Sequence, residues 1–320
     1  MRGYIIRRLL LMVPTLFFVT VVVFSVCRLI PGSVIDLMVT QQAEVAGMGM
    51  SLTADHIKHQ LGLDVPLHIQ YGKWVAGVFR GDLGSSLWTD RPVVEDLARR
   101  LPVTAELGFL AVVTALLLAL PIGVYSAMRQ DTGGDYVGRT VAVLAISLPA
   151  FWTGTLVMVY PSVWWGWSPP VEYIPIHENL AGNFLQFLLP AVLLGMTLSG
   201  TTMRMTRTMM LEVLRQDYIR TAWSKGLKER VVILRHALKN ALLPVVSMIG
   251  ILLTVIVGGA VVIEQIFALP GIGLLMIEAI NKRDYPILSG VNLVVAGFVM
   301  VMNLVVDLTY AWLDPRVKYR

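Results

Sequence analysis

RMTRTMMLEVLRQDYIRTAWSKGLKERVVILRHALKNALLP, from Arg204 to Pro244, is a basic, helix-patterned segment set between two long apolar runs. Arg204 to Lys239 holds nine of the chain's 26 Lys and Arg. Leu211, Leu214, Tyr218 and Ala222 recur at helical spacing and predict an apolar stripe, with Arg215, Arg220 and Lys225 toward water. Lys225–Gly226 has the chemistry of a helix C-terminus: glycine tolerates the left-handed backbone, and a cation sits near the negative end of the dipole. A second helix is expected from Lys228, Glu229 and Arg230. Its stripe is Val231, Leu234, Leu238 and Leu242, Arg235 and Lys239 are polar neighbours, and Pro244 marks the passage into the next apolar run. The segment thus reads as two helices about a glycine turn, lying at a membrane surface. A headgroup-binding amphipathic segment is one reading. Glu212, Asp217, Glu229 and the fixed turn favour a docking element instead.

The rest of the chain places this hairpin in a membrane protein. Hydrophobic residues make up 56% of the 320 residues and charged residues 15%, with mean hydropathy +0.70. A soluble domain of this length needs more polar surface. The net charge of +5 is read as a topology signal rather than a nucleic-acid footprint. The single cysteine, Cys27, excludes an internal disulfide and a cysteine-based metal cluster.

Six charge-free stretches are long enough to cross a bilayer: Leu9–Cys27, Leu107–Met128, Thr140–Val171, Asn179–Met203, Asn240–Ile263 and Tyr285–Val306. The third exceeds one span, and Pro161, Gly166, Pro169 and Pro170 predict its end near Tyr160. Trp164, Trp165, Trp167 and Tyr173 then fit an interfacial aromatic belt. The first stretch is preceded by Arg2, Arg7 and Arg8, as a secretory signal is, but it is too long for one and lacks a small-x-small cleavage site before Pro31. Its 13 Leu, Val and Phe residues favour insertion by roughly 4–8 kcal/mol. It is expected to remain a helix. Placing both termini in the cytoplasm puts seventeen Lys and Arg inside against eight outside, with Arg28 at a boundary. The expected fold is an all-α polytopic membrane protein with six transmembrane helices.

The loop after the first span has its own punctuation. Thr53, Asp55 and Gly62 bracket one short helix, and Pro66 opens another, running through Trp74 and Phe79 to Gly81. His56, His59 and His68 lie here, and the first two share a helix face. No carboxylate or cysteine completes a metal set, so solvated or packing histidines are the expected reading, with no metal site. Neither a nucleophile–base pair nor a P-loop is present, so no catalytic residue and no bound cofactor are assigned to this chain. Ionisable residues near membrane depth are functional candidates by default. Glu106, Glu264 and Asp307 qualify, with solvation or structural pairing left open for each. Met196, Met203, Met205, Met209 and Met210 are read as adaptable packing rather than a soft-metal ladder.

DYIRTAWSKGLKERVVILRHALKNALLP, residues 217–244, resembles the cytoplasmic EAA loop of ABC-importer permeases. More narrowly, it is similar to the first of the paired permeases in dipeptide, oligopeptide and nickel importers. The resemblance covers nearly the whole chain. It includes GLDVPLHIQY at Gly62–Tyr71, GDLGSS at Gly81–Ser86, VTAELG at Val103–Gly108, PGIG at Pro270–Gly273, RDYP at Arg283–Pro286 and NLVVDLTY at Asn303–Tyr310. Two positions depart from the pattern. The core triplet is Thr221-Ala222-Trp223, and Ser33 stands where the family usually has an acidic residue after Pro-Gly.

The resemblance implies an N-terminal tail and first helix at 1–30, an extracytoplasmic helical loop at 31–102, a permease domain at 103–312 with its coupling hairpin at 204–242, and a tail at 313–320. It implies coupling to an ATPase through Glu212, Asp217, Tyr218, Arg220, Thr221, Ala222, Lys225, Gly226, Leu227, His236, Asn240 and Pro244. Docking or substrate-path roles fall to Asp82, Glu106, Glu264, Pro270, Gly271, Arg283, Asp284 and Asp307. The implied partners are a paralogous second permease, two ATP-binding subunits that hold ATP and Mg2+, an extracytoplasmic substrate-binding protein and membrane lipid. The implied setting is the bacterial inner membrane. Peptides are the expected cargo, with nickel or another small solute as the alternative. A secondary transporter is a further reading, expected to show mid-span charges and broken helices in two related halves.

Overall fold

A computed structural model describes residues 2–29, 64–170 and 172–313. The described residues are helical, with one isolated β-bridge between Ser85 and Pro92. In chain order the helices are α1 (Arg2–Leu29), α2 (Leu67–Phe79), α3 (Val93–Met128), α4 (Gly133–Ser147), α5 (Ala150–Trp165), α6 (Leu180–Leu214) and α7 (Asp217–Ser224). A short turn, Glu229–Val231, and a π-helical stretch, Val232–Ala237, then lead into α8 (Leu238–Ile266), followed by α9 (Ile272–Lys282) and α10 (Tyr285–Leu313). Among the described residues, five helices are long and apolar enough to cross a membrane, or six if one bent pair counts as a single span.

That bent pair corrects the expected third span. The run from Thr140 to Val171 does not end near Tyr160; it is split at Leu148–Pro149 into α4 and α5, which meet at 91°. Leu148 is extended (φ −86°, ψ 119°), as the residue before a proline prefers. Pro161 instead lies inside α5, which closes on left-handed Gly166. The run hid the break because no charged residue interrupts it from Thr140 to Val171. Pro244 sits inside α8, so the passage from the hairpin's second arm into the fifth span is made within a continuous helix. The helix predicted between Thr53 and Gly62 lies outside the described residues, as do His56 and His59. The Pro66–Gly81 helix is observed as α2, with Gly81 left-handed at φ +79°.

The chain divides into two compact units. The described residues of one are 103–170, 172–273 and 301–313. Its core joins Leu107 and Ala111 of α3, Phe187, Ala191 and Leu194 of α6, and Ile256, Ala260 and Ile263 of α8. Helix α6 packs chiefly against α8 and α4. Close approach requires small residues, as it does between membrane helices generally. A Cβ on Gly195 would lie 2.7 Å from the Ala111 carbonyl oxygen, and one on Gly200 2.5 Å from that of Ala142. Of the methionines, Met203 and Met210 are buried in apolar clusters, so packing accounts for both.

The described residues of the other unit are 2–29, 64–102 and 274–300. Helix α2 meets α1 through Phe24, Tyr71 and Trp74, whose rings approach edge-on or tilted, and Thr20 Oγ1 lies 2.9 Å from Tyr71 OH. The start of α3 packs on α10, where a Cβ on Gly290 would lie 2.5 Å from Val93 Cγ1. His68 is exposed.

Candidate functional site

The hairpin is built on a small apolar core. Ile219 and Ala222 of α7, Val232, Ile233 and Ala237 of the π-helical stretch and Ala241 of α8 bury against Met210 of α6 and Ala127 of α3. The buried face therefore differs from the expected one. Of the expected stripes, Ala222 is buried and Leu211, Leu214 and Leu238 pack partly buried against this core, whereas Tyr218, Val231 and Leu234 are exposed and the second arm buries Val232, Ile233, Ala237 and Ala241. The π-turn shifts the phase of the helix, and alanines at 237 and 241 allow the closer approach. A reading weighted toward leucine overlooks such small residues.

Turn chemistry at Gly226 follows expectation in detail. Its φ is +74°, its N–H donates to Trp223 O at 2.9 Å, and Leu227 N–H donates to Ala222 O at 3.4 Å. This is the Schellman pairing that satisfies the last carbonyls of a helix. A Cβ at Gly226 would meet nothing within 4 Å, so the backbone conformation, not space, requires glycine. Asn240 Nδ2 donates to Tyr218 OH at 2.8 Å and to His236 O at 3.1 Å, tying the second arm to α7.

The remaining coupling candidates separate by exposure. Glu212, Asp217, Arg220, Thr221, Lys225 and Leu227 face outward, whereas Ala222 is part of the buried face. Asp217 and Arg220 are loosely paired at 3.5 Å, with side chains 96% and 71% exposed, so the pair contributes little to folding. Trp223, Val231 and Leu234, which the coupling set omits, add exposed apolar surface beside them. The hairpin thus presents mixed charge and aromatic surface on a rigidly seated short helix.

A polar tie that sequence reading missed lies at the neighbouring helix ends. Asp135 is fully buried at the start of α4. Arg207 of α6 donates to it from Nε at 2.8 Å and from Nη2 at 2.7 Å. Ser126 Oγ and Asp131 N–H also donate to it, and Arg139 Nε stands at 3.5 Å. Arg207 lies one turn before Met210, so this tie fixes the helix that supports the hairpin core.

Three of the docking or path candidates belong to one arrangement. Glu264 is fully buried near the end of α8. Thr104 Oγ1 donates to its Oε1 at 2.6 Å and accepts from Ile272 N–H at 2.8 Å. The Pro270–Gly273 turn wraps this carboxyl so closely that a Cβ on Gly271 would lie 2.2 Å from Glu264 Cδ. Glu106 is half-buried, with Asn183 Nδ2 at 3.5 Å from its Oε2, and Asp307 is half-buried on α10.

Asp284, in the second unit, is buried in the corner between α9 and α10. Ser86 Oγ donates to it at 2.6 Å and Leu87 N–H at 3.3 Å. Burial pushes its carboxyl above the ordinary range, although these hydrogen bonds pull the other way. The adjacent Trp88 Nε1 donates to Lys282 O at 2.9 Å, and Arg100 pairs with Glu278 at 3.2 Å. Arg283 is left-handed at φ +52°. Asp82 is exposed and accepts from Gly84 N–H at 2.8 Å. Among the described residues no group of three or more His, Cys, Asp or Glu gathers as a metal site.

Residues 119–319 match the family described as binding-protein-dependent transport system inner membrane component, and residues 1–108 match the N-terminal domain of such membrane components. The chain is 38% identical over 320 residues to a Brucella abortus (strain 2308) protein named as a peptide transport system permease, covering 100% of both. It is 36% identical to the glutathione transport system permease GsiC of Salmonella typhimurium, again over 100% of both chains. A solved amino acid ABC transporter structure with histidines shares the fold at TM-score 0.50 and 15% identity, covering 70% of this chain and 95% of that one.

Proposed function

The chain belongs to the binding-protein-dependent transport system inner membrane components, and on that premise we propose that it is the peptide-importing permease subunit of an ATP-driven importer. It forms one half of a translocation path whose other half is a paralogous permease. Two ATP-binding subunits, which carry ATP and Mg2+, drive it, and an extracytoplasmic binding protein delivers cargo. Small peptides, glutathione included, are the proposed substrate class, in keeping with the names its relatives carry. The charge asymmetry favours cytoplasmic termini and a cytoplasmic hairpin.

One observation carries the reading: α7 is seated by Ile219 and Ala222 on the ends of α3, α6 and α8, yet leaves Asp217, Arg220 and Trp223 outward. A helix held in this way moves with the spans that support it. An ATPase gripping its outer face would shift those helices as a body, which is the physical requirement for coupling nucleotide-driven closure to alternating access. The exposed charges suit recognition and register at such an interface. Asp284 and its neighbours offer an ordered corner for a delivering protein, and Glu106, Glu264 and Asp307 remain the path candidates.

The test is co-purification from native membranes. The wild-type chain should carry a second permease and ATP-binding subunits. Asp217→Arg combined with Gly226→Pro should lose the ATPases while keeping the sister permease. A wild-type chain that purifies alone, or ATPases retained by a well-folded variant, would overturn the assignment.

A further inference from the structure

A cavity of about 310 Å³ lies within the unit whose described residues are 2–29, 64–102 and 274–300. Its walls include Cys27 of α1 and Tyr285 of α10. Cys27 is the last residue of the first candidate span and Tyr285 the first of the final one, so the cavity stands at the level where hydrocarbon gives way to headgroups. Helix α2 forms another wall. It buries no residue fully, and it exposes Leu67, Ile69 and Phe79 at 59%, 40% and 87%. A short helix with outward apolar side chains and the aromatics Tyr71 and Trp74 has the composition of a segment lying in the membrane interface.

Polar groups in the cavity are of both signs. Lys73 and Trp74 of α2 line it, and so does Asp82. Trp74 Nε1 is buried and has no hydrogen-bond acceptor among the described residues. A buried indole N–H normally finds an acceptor, and leaving it without one costs about 1–3 kcal/mol. A partner that brings an acceptor to the level of the headgroups, beside a lysine and a carboxylate, would satisfy it.

We propose that this cavity binds the headgroup of a zwitterionic membrane phospholipid bearing a primary ammonium, with the phosphate toward Lys73 and Trp74 and the ammonium toward Asp82. Phosphate supplies the acceptor for the indole and the counter-charge for the lysine. The ammonium matches the carboxylate, which would repel a purely anionic headgroup. The acyl chains would leave past Phe24, on a helix whose outward residues are predominantly apolar.

Native mass spectrometry of the full chain, released from nanodiscs of phosphatidylethanolamine, phosphatidylcholine or phosphatidylglycerol, tests this directly. Wild type should retain phosphatidylethanolamine in preference to the other two. Trp74→Phe, which keeps the ring against Phe24, should lower retention roughly 5-fold, the worth of one neutral hydrogen bond. Lys73→Gln should lower it roughly 10-fold, as loss of a charged partner does. Equal retention of all three lipids, or no change in either variant, would overturn the proposal. Displacement of the lipid by inorganic phosphate alone would also overturn it, by making a free anion the ligand. If the variants do not fold, a headgroup-photoreactive phosphatidylethanolamine can be applied to the unaltered chain. Cross-links within 67–79 or 285–289 support the site, and cross-links only elsewhere refute it.

Discussion

Arg207 closes on Asp135 with two nitrogens, Nε to Oδ1 at 2.8 Å and Nη2 to Oδ2 at 2.7 Å, and joins positions 72 residues apart. The carboxylate is wholly buried and the guanidinium side chain is 16% exposed. Removing one member of such a pair leaves a buried charge without its counterpart, at a cost of about 3–5 kcal/mol. Asp135→Ala and Arg207→Ala should each lower the melting temperature in detergent markedly. The double variant should lose far less than the sum, and strict additivity would refute the coupling.

Gly226 supplies a second prediction. Its left-handed φ of +74° costs an L-residue about 1–2 kcal/mol, with no steric clash added. Gly226→Ala should therefore weaken the hairpin by that amount and Gly226→Asn by less. Hydrogen exchange at Leu227 N–H reports the difference, and equal protection in both variants would refute it.

Outer and inner faces of α7 should respond differently. Trp223→Ala should change stability by no more than about 0.5 kcal/mol, yet reduce ATPase capture. Ile219→Ala removes a fully buried side chain and should cost about 2–5 kcal/mol. Paired thermal melts and co-purification separate the two, and the reverse pattern would contradict the proposed docking face.

Gly271 and Glu264 should show a compensating pair. Gly271→Ala places a methyl 2.2 Å from Glu264 Cδ, an overpacking worth about 1–3 kcal/mol. In a Glu264→Ala background most of that penalty should vanish. A penalty of the same size in both backgrounds would refute contact with Glu264 as its cause.

Asp284 gives the fold a pH dependence. Burial raises its folded pKa above the unfolded value, so its stabilising contribution is complete below the ordinary carboxylate pKa of about 4. That contribution is lost as pH rises through the raised value. Thermal melts between pH 4 and 7 should show this slope in the wild type and a flatter one in Asp284→Asn. Ser86→Ala, which removes a hydrogen bond that lowers the pKa, should extend the slope toward higher pH.

Local chemistry was legible in the sequence and long-range pairing was not. Pro66, Gly81 and Gly226 mark their boundaries because proline and glycine restrict or free the backbone where they stand. The spans were visible as uncharged runs, but Leu148–Pro149 broke one of them with no charge to mark the place. Helix α3 begins at Val93, well before the charge-free run from Leu107, because its first turns are amphipathic. Nothing local marks Asp135 and Arg207 as a pair, since only packing of α4 on α6 brings them together. Trp223 was noted only as a departure from a family triplet, and its outward position becomes clear once Ile219 and Ala222 take the buried face.

The π-helical stretch Val232–Ala237 sits between the hairpin's turn and α8. Such a widened turn accommodates one residue more than an α-helix does over the same rise, and each α-helical residue advances the chain by about 100°. Deleting one residue there would restore regular winding and swing α7 around the axis of α8 by about a quarter-turn. The angle at which the hairpin presents its outer face is therefore set jointly by the π-turn and by the core that Ile219 and Ala222 share with Met210 and Ala127, and neither changes alone. Insertion or deletion at this turn is expected to unseat α7 and to destabilise the core beneath it together.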